Sequence, residues 1–168
     1  MPMPNILIKI PQGAFDARQR AKVLQEVTQV ALRVEQIGDD PRQRALCWVL
    51  LEELAPGFWS CGGADSSAQM VPCMVRVKVP AGVLDAAQRQ AYVEGLHQSL
   101  AACLAEDDPR MLMTSILLDD VADGTWGATV RCGGWRILPE RRAIGTCPTC
   151  MRDSSDRLPR PSAQASLP

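Results

Sequence analysis

The chain repeats itself, and the repeat restricts its fold more than any other feature. Ile6-Leu7-Ile8-Lys9-Ile10-Pro11-Gln12-Gly13 is matched, 69 positions later, by Val75-Arg76-Val77-Lys78-Val79-Pro80-Ala81-Gly82. Both segments lead to an aspartate, Asp16 and Asp85, followed by Ala17-Arg18-Gln19-Arg20 in one copy and Ala86-Ala87-Gln88-Arg89 in the other. Asp39-Asp40-Pro41-Arg42 recurs as Asp107-Asp108-Pro109-Arg110. Leu50-Leu51-Glu52-Glu53-Leu54-Ala55-Pro56-Gly57-Phe58-Trp59 recurs as Leu117-Leu118-Asp119-Asp120-Val121-Ala122-Asp123-Gly124-Thr125-Trp126, and Cys61-Gly62-Gly63 as Cys132-Gly133-Gly134. Five blocks keep their order and nearly their spacing, which identifies a tandem duplication.

Each copy reads strand, helix, strand. Ile6, Ile8 and Ile10 alternate with Leu7 and Lys9, the period-2 pattern of a strand. Asp16 can cap the following helix by accepting a hydrogen bond from an amide of its first turn. Val23, Val27, Val30 and Val34, with Leu24 and Ala31, then recur at helical spacing. The helix is expected to end near Ile37-Gly38. A second strand, from about Ala45 to Leu54, is apolar on both faces, as when a helix covers one side and a partner the other. In the second copy Tyr92, Val93, Leu96, Leu100 and Leu104 line the helix, and Thr114 to Val121 supply the strand.

Strands joined by a helical crossover lie parallel. The expected fold is therefore α/β (α+β in some schemes): two tandem β-α-β units forming a four-stranded sheet with two helices on one face. The divisions are 1–63 for the first unit, 64–71 for a polar linker, 72–138 for the second unit and 139–168 for a tail. The Ser- and Pro-rich end of that tail, residues 152–168, is expected to be disordered. The other face of the sheet would stay apolar and exposed in a monomer, which predicts self-association.

The 168 residues carry a formal net charge of −1 and no long basic run, which argues against a nucleic-acid or membrane-surface partner. No apolar run approaches the roughly 20 residues that cross a bilayer, and Met1-Pro2-Met3-Pro4 leads straight into a strand rather than a signal peptide. The seven cysteines are odd in number and scattered. Without an export signal they read as reduced thiols, and the expected location is cytoplasmic.

Pro4, an alternating strand, Gly13 nine residues later and Asp16 resemble the opening of 4-oxalocrotonate tautomerase. The stretch from Glu53 to Gly63 resembles that family's second strand and hairpin, with an aromatic just past a glycine and a closing Gly62-Gly63. The likeness covers about residues 4–136. It implies a cofactor-independent isomerase that acts on a small keto or enol acid, with an amino-terminal proline as base and no metal. Two-unit versions usually form trimers, so a homotrimer is the implied assembly.

Proline at a free amino terminus is a secondary amine. An α-amino group titrates near 7.7–8.0, and burial or a nearby cation lowers that value. Such a group can take a proton from a carbon beside a carbonyl and return it elsewhere on the conjugated system. The resemblance puts Pro4 at the catalytic position, provided translation starts at Met3 and that methionine is removed. If Met1 is the start, Pro2 becomes the terminal residue. A Pro4 acylated by Met3 has no N–H and is then simply the residue that starts an edge strand. In the second copy Cys73 holds the aligned place, and Pro72, one residue out of register, is internal. By the same resemblance, Trp59 walls the pocket and keeps water out.

The family's two substrate-binding arginines have no counterparts here. Their positions hold Ala14 and Trp48 in the first copy, and Val83 and Ser115 in the second. Trp48 is accordingly a candidate pocket residue; Arg42, Arg44, Arg76, Arg110, Arg131 or Arg136 could substitute as anion binder, sequence does not choose among them, and Arg110 is carried as the candidate. Cys147-Pro148-Thr149-Cys150 has CxxC spacing but lacks the second pair that a four-ligand zinc site needs. The single histidine, His97, reads as structural. Two other functions stay open: a non-catalytic oligomeric binding module, with Trp48, Trp59, Trp126 and Trp135 in its core or interface, and a metal-linked module built on the CxxC.

Overall fold

The computed structural model describes residues 3–122 and 125–126, all within one compact unit. Pro2, Trp135, Arg131, Arg136, the Cys132-Gly133-Gly134 block, the CxxC and the tail from 139 lie outside the described residues. The elements are β1 (Asn5–Pro11), α1 (Ala17–Val34), α2 (Pro41–Arg44), β2 (Trp48–Leu54), β3 (Met70–Pro80), α3 (Ala86–Ala101) and β4 (Met111–Val121). The strands form one sheet in the order β2-β1-β3-β4. Each unit contributes a parallel pair, β1 with β2 and β3 with β4, and the units join antiparallel through β1 and β3. The fold is the expected pair of β-α-β units.

The duplication extends to the hydrogen bonds. Gly13 (φ +79°) and Gly82 (φ +78°) make the same left-handed turn ahead of α1 and α3, a conformation a β-carbon disfavours. Asp16 then accepts from the Gln19 amide at 2.7 Å, while Gln19 accepts from the Asp16 amide at 2.7 Å. Asp85 and Gln88 repeat this capping box at 2.8 and 2.9 Å. Further along, Asp40 accepts from the Arg42 amide at 3.0 Å and Asp108 from the Arg110 amide at 2.9 Å.

α1 ends earlier than the glycine at 38 suggested. Gln36 adopts φ +53°, the Ile37 amide donates to Leu32 O at 2.8 Å, and the Gln36 amide donates to Arg33 O at 3.3 Å. This is a Schellman termination with glutamine in the left-handed position. β2 starts at Trp48 rather than Ala45, because Asp40 and Pro41 start the helical turn α2 and its bonds continue to the Cys47 amide. β4 starts at Met111, three residues before the expected Thr114.

The core lies between the helices and one face of the sheet. Ile6, Ile8 and Ile10 of β1 and Val71, Cys73, Val75, Val77 and Val79 of β3 pack there against Val23, Val27, Val30, Ala31, Tyr92, Leu96 and Leu100. Leu24 and Val93, expected on the packed helix faces, are instead exposed. The remaining strand residues build the helix-free face in cross-strand rows. One row is Trp48, Asn5, Lys78, Asp119; the next is Leu50, Leu7, Arg76, Leu117; a third is Glu52, Lys9, Met74, Ser115. This face carries the exposed apolar residues Trp48 (57 % accessible), Leu50 (54 %), Met74, Met113 and Leu117 (46 %). The expected apolar, uncovered face is present.

Candidate active site

Pro4 sits immediately before β1, where its carbonyl accepts a hydrogen bond from the Trp48 amide at 3.0 Å. It is buried. Parallel pairing of β1 with β2 brings these two candidate residues together, although 44 positions separate them in sequence. The Trp48 side chain is exposed, and its indole N–H donates to Ala45 O at 3.1 Å, which ties the ring to the turn before β2.

Asn5 follows Pro4 and pairs with Trp48 on one side and Lys78 on the other. Its Oδ1 is buried without a hydrogen-bond partner. Buried acceptors are normally paired, so an orphan beside the candidate base marks a place where a donor can be received. Together Pro4, Asn5, Trp48 and Lys78 form one corner of the sheet. Asn5 and Lys78 escaped sequence reasoning because neither is distinguished by spacing; only the antiparallel register between the units puts them side by side.

Trp59 lies elsewhere. It lines a cavity of about 90 Å³ with Pro11, Leu54, Pro56, Ser66 and Pro72, at the far end of β1. Seven strand residues separate that end from Pro4, roughly 23 Å at the usual rise. Pro72, one residue out of register with Pro4 in the repeat, lines the same cavity. Within a single chain, Trp59 therefore accompanies Pro72 rather than Pro4.

Arg110 also belongs to the far end. It precedes Met111, which pairs with Met70, whereas Asn5 pairs with Lys78. Its guanidinium donates to both carboxylate oxygens of Asp108, at 2.9 and 2.7 Å, and reaches Ala14 O at 3.4 Å. These hydrogen bonds hold the Asp108 carboxyl down at about 2. The arginine of the second unit thus tethers the loop preceding α1 of the first. Arg20 pairs with Glu53 at 3.2 Å, and Arg89 with Asp120 at 2.8 Å. His97 lies on the exposed side of α3 with Nδ1 2.9 Å from Thr114 Oγ1, linking helix to strand.

Cys47, Cys61, Cys73 and Cys103 are free thiols. Burial pushes Cys47 up to about 11 and Cys73 up to about 12, so neither is a ready nucleophile. Among the described residues no group of three or more His, Cys, Asp or Glu side chains could hold a metal ion, and no helix is long and apolar enough to cross a membrane.

No protein-family model and no curated protein matches the sequence. Solved structures do match. A fused 4-OT described as an asymmetric trimer superposes with a TM-score of 0.57 at 21 % identity, covering 74 % of this chain and 91 % of that one. Pt0534, described as inactivated by 2-oxo-3-pentynoate, gives 0.58 at 18 % identity over 74 % of this chain and 90 % of that one. FG41 malonate semialdehyde decarboxylase, described as inhibited by 3-bromopropiolate, gives 0.54 at 16 % identity over 76 % and 91 %. The chain has the fold of a fused 4-OT, as its sequence resemblance implied.

Proposed function

We propose that this chain is a cofactor-independent tautomerase that moves a proton between carbons of a small keto or enol acid, with Pro4 as general base. The observation that carries the reading is the corner itself. A buried proline begins a strand beside a tryptophan and an orphan acceptor, in a fold shared with a fused 4-OT. The fused 4-OT, Pt0534 and the decarboxylase fit a scaffold for acid chemistry, since 2-oxo-3-pentynoate and 3-bromopropiolate are both small unsaturated acids.

In this mechanism removal of Met3 frees the Pro4 nitrogen. Burial disfavours the charged form of such an amine, which favours its action as a base. The amine removes a proton from the carbon next to the substrate's carbonyl, and the protonated amine returns it further along the conjugated system. Asn5 Oδ1 accepts the hydroxyl of the enol form. A homotrimer would cover part of the apolar surface on the helix-free face. Cytoplasmic residence suits the free thiols.

The test is to produce the protein beginning at Pro4 and compare it with Pro4→Ala on phenylenolpyruvate. Loss of general-base catalysis should lower kcat by about 10²-fold or more. Retained activity in Pro4→Ala, or a native amino terminus at Met1 or Met3, would sink the reading. Pro2 remains the competing base if native processing leaves it terminal, and Pro2→Ala in the longer form decides between them.

A second reading is a non-catalytic oligomeric binding module. It is favoured by one observation: Arg110 is engaged by Asp108 rather than turned toward the proline corner.

A further inference from the structure

The two units match in fold but not in charge pairing. In the first, Lys9 meets its register partner Glu52 at 3.0 Å. The equivalent pair in the second is Lys78 and Asp119, which are also register partners. There, however, Arg76 takes the aspartate: its Nε and Nη2 donate to Asp119 Oδ2 at 3.2 and 2.8 Å. The residue in the Arg76 position of the first unit is Leu7, which cannot compete. Lys78 is left exposed and, among the described residues, without an ion-pair partner.

The freed ammonium stands on the helix-free face directly across from Asn5, the residue that follows Pro4. Cross-strand neighbours on one face stand about 5 Å apart at their β-carbons, so a four-carbon stem spans the distance to a ligand held at Asn5 Oδ1. An unpaired cation beside an orphan acceptor and a buried proline suits a molecule with a carboxylate at one end and an enol hydroxyl nearby.

Resting on the tautomerase reading, we infer that Lys78 is the cation that receives the substrate's carboxylate, in place of the family's missing arginines, and that Arg76 keeps it available by holding Asp119. The preferred substrates are then 2-oxo or enol acids with the carboxylate adjacent to the reacting carbons, rather than neutral ketones.

Binding tests this independently of turnover. Phenylpyruvate and its neutral methyl ester would be titrated into the full chain and followed by NMR shifts. Lys78→Gln should weaken the acid by about tenfold or more, leave the ester unchanged, and be restored by Lys78→Arg. Arg76→Leu should also weaken the acid, because Asp119 then pairs with Lys78. Adding Asp119→Asn to Arg76→Leu should restore binding. Equal acid affinity in wild type and Lys78→Gln overturns the inference, as does wild type that fails to bind the acid. Failure of the double variant to recover assigns the anion to Arg76 instead. Acid binding through Lys78 with no Pro4-dependent turnover would remove the catalytic reading and leave this one standing.

Discussion

Tyr92 donates its phenolic hydrogen to Glu35 Oε1 at 3.0 Å, joining the helix of the second unit to the end of the helix of the first. The carboxyl is 5 % exposed, and its Oε2 is buried without a partner. Burial lifts Glu35 from an ordinary 4.5 to about 7, partly offset by the Tyr92 hydrogen bond. Because the folded value exceeds the unfolded one, the protonated acid stabilises the fold fully below pH 4.5. That contribution falls as pH rises through about 7 and is on the order of 3 kcal/mol in total. Thermal melting between pH 5 and 8.5 should show Tm decreasing with pH, and Glu35→Gln should flatten the profile. Identical slopes in the two proteins would count against a buried, proton-bearing Glu35.

Gln36 occupies the left-handed position that terminates α1. A β-carbon costs roughly 1–2 kcal/mol in that conformation. Gln36→Gly should therefore raise stability by about 1 kcal/mol in urea denaturation, after glycine's greater freedom in the unfolded chain is subtracted. A loss of stability would mean the Gln36 side chain contributes something its backbone strain conceals.

The paired capping boxes offer an internal comparison. Asp16→Ala and Asp85→Ala each remove the acceptor for one first-turn amide, and each should cost about 1 kcal/mol. The sites belong to different helices, so the double variant should lose close to the sum. Strong non-additivity would show that the two helices respond to capping as one element.

Leu50 and Leu117 flank the middle of the helix-free face. If that face is covered by other copies, a carboxylate at either position would be buried in the seam at a desolvation cost, and at Leu50, whose register partner is Leu7, it would also lack a counter-charge. If the proposed trimer forms through this face, Leu50→Glu should shift the protein to monomer in analytical ultracentrifugation while its circular dichroism stays unchanged, and Leu117→Glu should weaken the assembly. An oligomer that survives both Leu50→Glu and Leu117→Glu assembles through another surface.

Much of the fold was legible because its signals are local and periodic. Alternation at Ile6, Ile8 and Ile10 and helical spacing at Val23, Val27 and Val30 each name an element and its buried face. Asp16 with Gln19 writes a cap in four residues. The end of α1 was not legible, because Gln36 has no compositional reason to turn left-handed and only its packed context holds it there. The site divided along the same line. Trp48 was singled out from its alignment with a missing arginine, and parallel pairing does put it against Pro4. Trp59 and Arg110 were chosen with it, yet sheet geometry carries both to the opposite end of the strand within one chain. Lys78 is visible in sequence only as the repeat match of Lys9, and nothing there marks it as unpaired.

By itself, then, the sequence determined the duplication, the two β-α-β units, their caps and the apolar face left over, because hydrophobic period and short-range hydrogen bonding operate within a few residues. The tertiary structure alone decided which residues lie at the Pro4 end of the sheet and that Lys78, among the described residues, lacks the carboxylate partner its counterpart Lys9 has. Those outcomes depend on strand register and on Arg76 and Lys78 competing for one aspartate, and such competition exists only once four strands stand side by side.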